Sequence, residues 1–216
     1  MKKAIAIFLI ITGIALMAYP KLKEFYYDRR QAQLLESWQH SMAILERQDP
    51  DEAQEIPEGQ DTDNDAAARA IEQRNRYIQQ NMEGTLKIDK INLNMPILKG
   101  ATEKNLLISV SSLTGPAGPG EVGNYCIAGH RCRTTGRHFN KLDRLEKGDS
   151  ITVTTKDAVY SYEVFESLVV RPEETWVLMP EGNERLITLI TCDYSEEPSL
   201  RLIVRGRLVA GEKLEG

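Results

Sequence analysis

A cysteine and an arginine stand at the two ends of one short loop near the C-terminus. The run LITLITC ends at Cys192, and a second run of strand-forming residues, LRLIV, begins at Leu200. In an antiparallel hairpin the end of the first strand lies beside the start of the second, so we expect Cys192 and Arg201 at one edge of a sheet. A partly exposed thiol near a guanidinium favours the reactive thiolate. The pattern predicts a cysteine nucleophile; the alternative is a small buried hydrophobic residue.

A cysteine nucleophile also needs a group that carries its proton. The chain has three histidines. His40 lies among polar residues and is expected to be solvated, and His138 lies in a polar loop, where a solvent-facing or structural role is expected. His130 directly follows a short apolar run that ends at Gly129. Elimination therefore predicts His130 as the general acid or base, with a purely structural histidine as the alternative.

The same residue types raise the alternative of a zinc site. Two cysteines and two histidines lie close together in the sequence: Cys126, His130, Cys132 and His138. Their spacing lacks the paired CxxC and HxxxH motifs that are typical of structural zinc. We predict no metal and no cofactor.

An acidic segment contains a partial calcium-loop pattern. Its acids fall at positions 1, 3, 5 and 12 of that pattern: Asp61, Asp63, Asp65 and Glu72. Position 6 is Ala66, where the sharp turn of the calcium loop requires glycine. An acidic linker meets such a spacing by accident, and the segment is interpreted as a linker.

Short strands must position the candidate site. Apolar residues alternate with polar ones in many short runs, and Gly-Pro and Gly-Asp turns separate these runs. The strands are predicted around Leu86–Ile88, Ile91–Met95, Asn124–Ala128, Ile151–Thr155, Ala158–Val170, Leu186–Thr191 and Leu200–Leu208. Many short strands with little helix predict a mainly β fold, a closed or nearly closed barrel with short helices, over residues 83–216.

The residues before this barrel have a different composition. Ala4 to Tyr19 is an uncharged apolar run, slightly short of the roughly 20 residues that cross a bilayer. We predict an uncleaved signal-anchor transmembrane helix over residues 1–20, with a cleaved signal peptide as the alternative. Residues 21–82 are interpreted as a helical stalk with an acidic linker at 49–65. A net charge of -5 argues against nucleic acid as a partner.

Three segments resemble the signature segments of the sortase family, the membrane-anchored cysteine transpeptidases of Gram-positive bacteria. These segments are TLITC, which ends at Cys192, the strand opening RLIV at Arg201, and GNYCIAGHR, which contains His130. The similarity extends over nearly all of residues 84–208. It implies an eight-stranded closed barrel, a single-pass membrane anchor, an extracytoplasmic catalytic domain, and His130, Cys192 and Arg201 as the catalytic residues.

The resemblance also implies the reaction and its partners. Sortases cleave a sorting signal similar to Leu-Pro-x-Thr-Gly (LPxTG) after Thr, and an amine of peptidoglycan resolves the thioacyl enzyme. Two absences make the chain most similar to the class D or housekeeping sortases. Asp49-Pro50 is followed by Asp51 rather than by an aromatic lid residue, and about fourteen residues separate Val170 from Arg185, too few for a long inserted helix.

Further residues are candidates for substrate binding. Thr191 precedes the cysteine and is expected to shape the oxyanion or substrate site. Trp176, Val177 and Leu178 form an apolar loop segment that is suited to the Leu-Pro portion, with ordinary barrel packing as the alternative. Two other functions stay open: a hydrolytic cysteine protease, and a membrane-anchored binding module without enzymatic activity.

Overall fold

The fold is given by a computed structural model that describes residues 64–115, 117–131, 138–193 and 200–214, together with Thr12. The helix Asn64–Asn81 leads into eight strands. The strands are β1 Met82–Ile88, β2 Leu93–Lys99, β3 Val110–Ser112, β4 Gly123–Ala128, β5 Ser150–Thr154, β6 Ala158–Val170, β7 Arg185–Asp193 and β8 Leu200–Lys213. The helical content is completed by Glu103–Ile108 and three short 3₁₀ helices, at Asp89–Ile91, Leu142–Arg144 and Thr175–Leu178.

The strands close into a barrel in the order β1-β2-β3-β4-β7-β8-β6-β5. The pairs β2–β3 and β4–β7 are parallel, and the other six pairs are antiparallel. The prediction of a mainly β, closed eight-stranded barrel is confirmed. Closure leaves no sheet edge unpaired, which explains how many short strands form one stable sheet.

Two apolar clusters flank the sheet, because successive side chains of a strand point to opposite faces. The first cluster contains residues from all eight strands, including Leu86, Val110 and Leu189, and therefore fills the barrel. The second cluster lies on the other face of β7 and β8, where Ile190, Cys192 and Ile203 share it with residues of the helix Glu103–Ile108 and the 3₁₀ helix Thr175–Leu178. Because both faces of β7 are covered, every residue from Leu186 to Cys192 is buried.

This topology collects three strand ends at one rim. The parallel strands β4 and β7 end on the same side of the barrel, and the antiparallel strand β8 starts there. Residues just after β4, at the end of β7 and at the start of β8 must therefore lie together. The predictions for residues 1–63 (the signal-anchor, most of the stalk and the acidic linker) lie outside the described residues, Thr12 apart. No helix within the described part of the chain has the length and apolarity to cross a membrane.

Candidate active site

Cys192 and Arg201 face each other across β7 and β8. They are direct partners in the antiparallel register, between the pairs Thr191–Leu202 and Asp193–Leu200. Alternation places Cys192 with Ile190 and Arg201 with Ile203 on the outer face of the barrel, where Ile190, Cys192 and Ile203 belong to the second apolar cluster. The hairpin geometry expected from the sequence for these two residues is thus observed.

His130 reaches the same rim because the β4–β7 pairing continues beyond the last registered pair, Ala128–Ile190. The Gly129 N–H donates to the Ile190 carbonyl at 3.0 Å. The Thr191 hydroxyl donates to the Gly129 carbonyl at 2.8 Å. These two contacts hold the chain that enters His130 against the chain that enters Cys192.

Gly129 is required by close packing at this exit. A Cβ on Gly129 would stand 2.8 Å from a ring carbon of Phe139 and 3.0 Å from Val110. Phe139 is fully buried, and its N–H donates to the His130 carbonyl at 3.0 Å. Glycine therefore lets the buried ring pack against the backbone that carries His130.

An ion pair holds the chain that leaves His130. Arg131 donates through Nη1 to Asp193 Oδ1 at 3.1 Å, and its Nη2 lies 3.3 Å from Asp143 Oδ2. His130 therefore lies between a contact to Thr191 on one side and a contact to Asp193 on the other. Along the rim, His130 therefore lies at the same level as Cys192, the residue between Thr191 and Asp193.

All three side chains are buried. His130 is 1% exposed, Cys192 is 1% exposed and Arg201 is fully buried. The expectation of a partly exposed thiol is wrong, because Cys192 packs in the second apolar cluster with Ile190 and Ile203. No disulfide joins Cys192 to another cysteine among the described residues.

Burial sets the protonation state of the histidine. Loss of solvation penalises the charged ring and lowers the pKa of His130 to about 4. The imidazole is therefore neutral near pH 7. Neither of its ring nitrogens has a hydrogen-bond partner among the residues that the structure describes. A buried imidazole with both nitrogens uncommitted is available to exchange a proton with a neighbouring group.

His138 lies beside this histidine. The sequence predicted a solvent-facing or a structural role for His138, and the solvent-facing alternative is wrong: His138 is 4% exposed, and its ring centroid lies 6.0 Å from that of His130 at an interplanar angle of 77°. The polar neighbours of His138 in the sequence indicated solvent, whereas the adjacent Phe139 anchors the turn in the barrel interior. No spacing rule pairs the two histidines, so the sequence carried no signal for this contact.

The predicted substrate-binding residues occupy different environments. Val177 and Leu178 are fully buried in the second apolar cluster, and the Val177 carbonyl accepts from Asn124 Nδ2 at 2.9 Å. Trp176 is 47% exposed, so it is the member of this segment that presents surface to solvent. The fully buried hydroxyl of Thr191 donates its proton to the Gly129 carbonyl, as described above.

A second buried arginine lies on the same face of β8. Arg205 donates to Glu166 at 2.9 Å and to Glu181 at 2.5 Å, which ties β6 and the segment after the 3₁₀ helix to β8. Its guanidinium also lies 5.2 Å from the ring of Phe165 and 5.8 Å from the ring of Trp176. The exposed Trp176 thus lies over β8 beside the Arg205 guanidinium, whose charge the two glutamates balance.

Within the described residues, no group of three or more His, Cys, Asp and Glu side chains is arranged to hold a metal ion. Cys132, one of the four residues of the zinc alternative, lies outside the described residues, as do Asp61 and Asp63 of the calcium pattern.

Comparison with known proteins agrees with the barrel fold. The model of the sortase domain matches residues 86–209. Sortase A of Bacillus anthracis is 35% identical over 126 residues, which cover 58% of this chain and 59% of that protein. Sortase D of Bacillus subtilis is 26% identical over 212 residues, 97% of this chain and all of that protein. The solved structure of Listeria monocytogenes sortase A superposes with a TM-score of 0.58 at 30% identity, covering 62% of this chain and 92% of that one.

A family model that matches more than half of the chain identifies a sortase-type barrel, and its range contains the three rim residues His130, Cys192 and Arg201. The chain belongs to the sortase family. Sortases are cysteine transpeptidases, so this is a family of enzymes.

Proposed function

We propose that the protein is a transpeptidase that cleaves an LPxTG-like sorting signal after Thr and transfers the fragment that ends in Thr, through its new carboxyl end, to an amine of peptidoglycan. The observation that carries the proposal is the meeting of His130, Cys192 and Arg201 at one rim. The β7–β8 register and the contacts of Gly129 and Arg131 support it. The enzyme would need no cofactor.

The first step is acylation of Cys192. The neutral His130 accepts the proton of the thiol, and the thiolate attacks the carbonyl carbon of Thr in the sorting signal. The carbonyl oxygen gains negative charge, which the Arg201 guanidinium stabilises because it stays protonated at working pH. The C–N bond then breaks, the His130 imidazolium gives its proton to the leaving amine, and a thioester remains on Cys192.

The second step returns the enzyme to its starting state. An incoming primary amine loses its proton to His130 and attacks the thioester carbon. The C–S bond breaks, a new amide forms, and the proton on His130 returns to the Cys192 thiolate. Because Cys192 is covered in this conformation, the side chains around it must move when the peptide binds.

The exposed and buried side chains of the 175–178 segment suggest how it would contact the substrate. We assign Trp176 to contact with the Leu-Pro portion of the sorting signal, with Val177 and Leu178 as the buried support of that wall. Thr191 would contribute by fixing the exit of β4 against β7, and so the position of His130.

The cellular setting is also part of the proposal. The apolar run from Ala4 to Tyr19 would anchor the chain as a single-pass membrane protein with the barrel outside the cell. Its partners would be secreted proteins that carry sorting peptides and a peptidoglycan precursor amine. The subclass proposed is class D or housekeeping, and the matched relatives include both a Sortase A and a Sortase D.

The test is turnover of a fluorogenic LPxTG peptide with and without an added primary amine. We expect cleavage that yields an amide-linked product in the presence of amine, and no cleavage by the Cys192→Ala variant. Release of the free acid at a rate that amine leaves unchanged would favour a hydrolytic cysteine protease. Absence of cleavage across a library of sorting peptides would favour a binding module.

A further inference from the structure

A buried histidine that lacks hydrogen bonds needs another means to hold its orientation. His130 is 1% exposed, and within the described residues neither ring nitrogen is engaged. Many nucleophile–base pairs use a third group that orients the base. The turn that follows β4 supplies a candidate, because it places a second imidazole against the first.

The geometry of this second imidazole is specific. The rings of His130 and His138 pack at 77°, with centroids 6.0 Å apart, which is an edge-to-face arrangement. The backbone of the same turn is tied to His130, since the Phe139 N–H donates to the His130 carbonyl at 3.0 Å. His138 also has φ +49°, in the left-handed region that residues with a Cβ seldom adopt. Such strain persists where the surroundings fix the residue, and it clusters at functional sites.

We propose that His138 is a positioning residue for His130: its ring fixes the orientation of the catalytic imidazole and stabilises the imidazolium form through the edge-to-face contact. This inference rests on the proposed function of His130 as the proton carrier. In an edge-to-face pair the positive edge of one ring meets the negative face of the other, and protonation strengthens that attraction when the protonated ring supplies the edge.

The contact opposes the effect of burial. Burial alone disfavours the charged ring and lowers the pKa of His130 to about 4. The catalytic cycle nevertheless requires the imidazolium between thiol deprotonation and protonation of the leaving amine. If the His130 ring supplies the edge of the pair, the face of the His138 ring lowers the cost of that state. His138 thus lets a fully buried base pass through its charged form.

Other groups near the rim carry charge or titrate. They are Cys192 on β7, Arg201 on β8, and Arg131 after β4 with its two carboxylates Asp193 and Asp143. All of them are retained when His138 is replaced, so a change in the titration of His130 between variants reports on His138.

Two substitutions distinguish the effect of the aromatic ring of His138 from the effect of its titratable nitrogens. His138→Asn removes the ring but suits the left-handed backbone, which asparagine tolerates better than most residues. His138→Phe keeps an aromatic ring that cannot titrate. The full-length chain and both variants are compared by single-turnover acylation on an LPxTG peptide, by steady-state kinetics over pH, and by NMR titration of the His130 ring.

The expected results differ between the variants. His138→Asn lowers kcat and the acylation rate about 10- to 100-fold, as misplacement of a catalytic group does, with KM within about twofold. It also lowers the pKa of His130 below that of the unsubstituted protein. His138→Phe restores kcat to within about threefold and returns the pKa of His130 toward its original value.

Three results would overturn the proposal. The first is unchanged kcat and unchanged His130 titration in His138→Asn. The second is a loss in His138→Asn that appears in KM alone. The third is equal impairment of both variants with equal loss of Tm, which would make His138 a packing residue. Retained turnover by Cys192→Ala would instead defeat the proposed function, and the NMR titration would still report on the two rings.

Discussion

Two rows of residues cross β4, β7 and β8 on the outer face of the barrel, four residues apart, and each contains a cysteine and an arginine. The row farther from the rim, here called the inner row, is Cys126, Thr188 and Arg205, which are successive partners in the strand register. The rim row is His130, Cys192 and Arg201. Both rows are buried, so neither burial nor the presence of a cysteine and an arginine distinguishes them.

The rows differ in what surrounds each thiol and each guanidinium. In the inner row, burial raises the pKa of Cys126 to about 12, and Arg205 is engaged by Glu166 and Glu181. In the rim row, Cys192 lies directly opposite Arg201 and at the level of a neutral histidine. The comparison teaches that, under the proposed function, the strand ends where three segments converge would provide the reactive arrangement, whereas the cysteine and the arginine in mid-strand lie in a packed and charge-paired environment.

The largest expected effect separates the two cysteines. Cys192→Ala should reduce turnover of an LPxTG peptide to background, because it removes the proposed nucleophile. Cys126→Ala, the matched control in the inner row, should keep kcat within about twofold, since the Cys126 thiol does not ionise at neutral pH. Rates of the two purified variants provide the measurement. Equal loss in both would mean that the rows are not distinct.

The next effect separates the two arginines. Arg201→Lys should lower kcat about 10²–10³-fold, the usual loss when one donor to a developing oxyanion is removed or displaced. Arg205→Lys, at the matched position of the inner row, should lower kcat no more than about threefold, a loss typical of positions that do not contact the transition state. Steady-state kinetics on the same peptide decide the matter. A larger loss at Arg205 than at Arg201 would reverse the assignment.

The rim row should also make stability depend on pH. The pKa of His130 is about 4 in the folded protein and about 6.5 when unfolded, so the unfolded chain binds more protons between these values. Its contribution is fully present above pH 6.5 and is lost as the pH falls toward 4. The free energy of unfolding should decrease by about 3 kcal/mol from this residue between pH 7 and pH 4.

Urea unfolding of the unsubstituted chain and of His130→Gln at several pH values isolates this contribution. The difference between the two proteins should change with pH in the stated direction. A pH-independent difference would show that His130 titrates alike in the folded and unfolded states.

Substitutions that affect the inner row should change the stability of the protein rather than its activity. Replacing both Glu166 and Glu181 by Gln leaves the buried Arg205 without these charge partners. The free energy of unfolding should fall by about 2 kcal/mol, less than for a fully buried pair because both carboxylates are partly exposed. Denaturant titration measures the loss, and Lys90→Met, which breaks an exposed pair to Asp149 and Glu146, serves as the control. An unchanged unfolding midpoint in the double variant would contradict the structural role of Arg205.

Much of the barrel was predictable because its signals are local. Strand β6 has the predicted bounds Ala158–Val170, and strand β5 lies within one residue of the predicted run Ile151–Thr155. Strand β3, Val110–Ser112, was missed because three residues cannot establish a period. Strand β8 extends beyond the predicted Leu208 to Lys213, because the start of the long strand β6 pairs with its polar end.

For the candidate site too, the local features were predictable from the sequence and the features that depend on tertiary packing were not. A hairpin brings Cys192 and Arg201 together, so their pairing followed from a local rule. His130 was predicted by elimination. The parallel β4–β7 pairing joins segments that are distant in the sequence, so the spacing of residues does not indicate it. The burial of Cys192 and the contact between His138 and His130 depend on tertiary packing around Ile190 and Phe139, which single-sequence patterns do not encode.

The most direct test of the account is mass spectrometry of the acylated enzyme after reaction with a sorting peptide in the absence of amine. The account predicts one adduct of the mass of the peptide fragment that ends in Thr, located on the proteolytic peptide that contains Cys192. An adduct on Cys126 or on a residue other than cysteine, or cleavage that proceeds with no adduct at all, would contradict it.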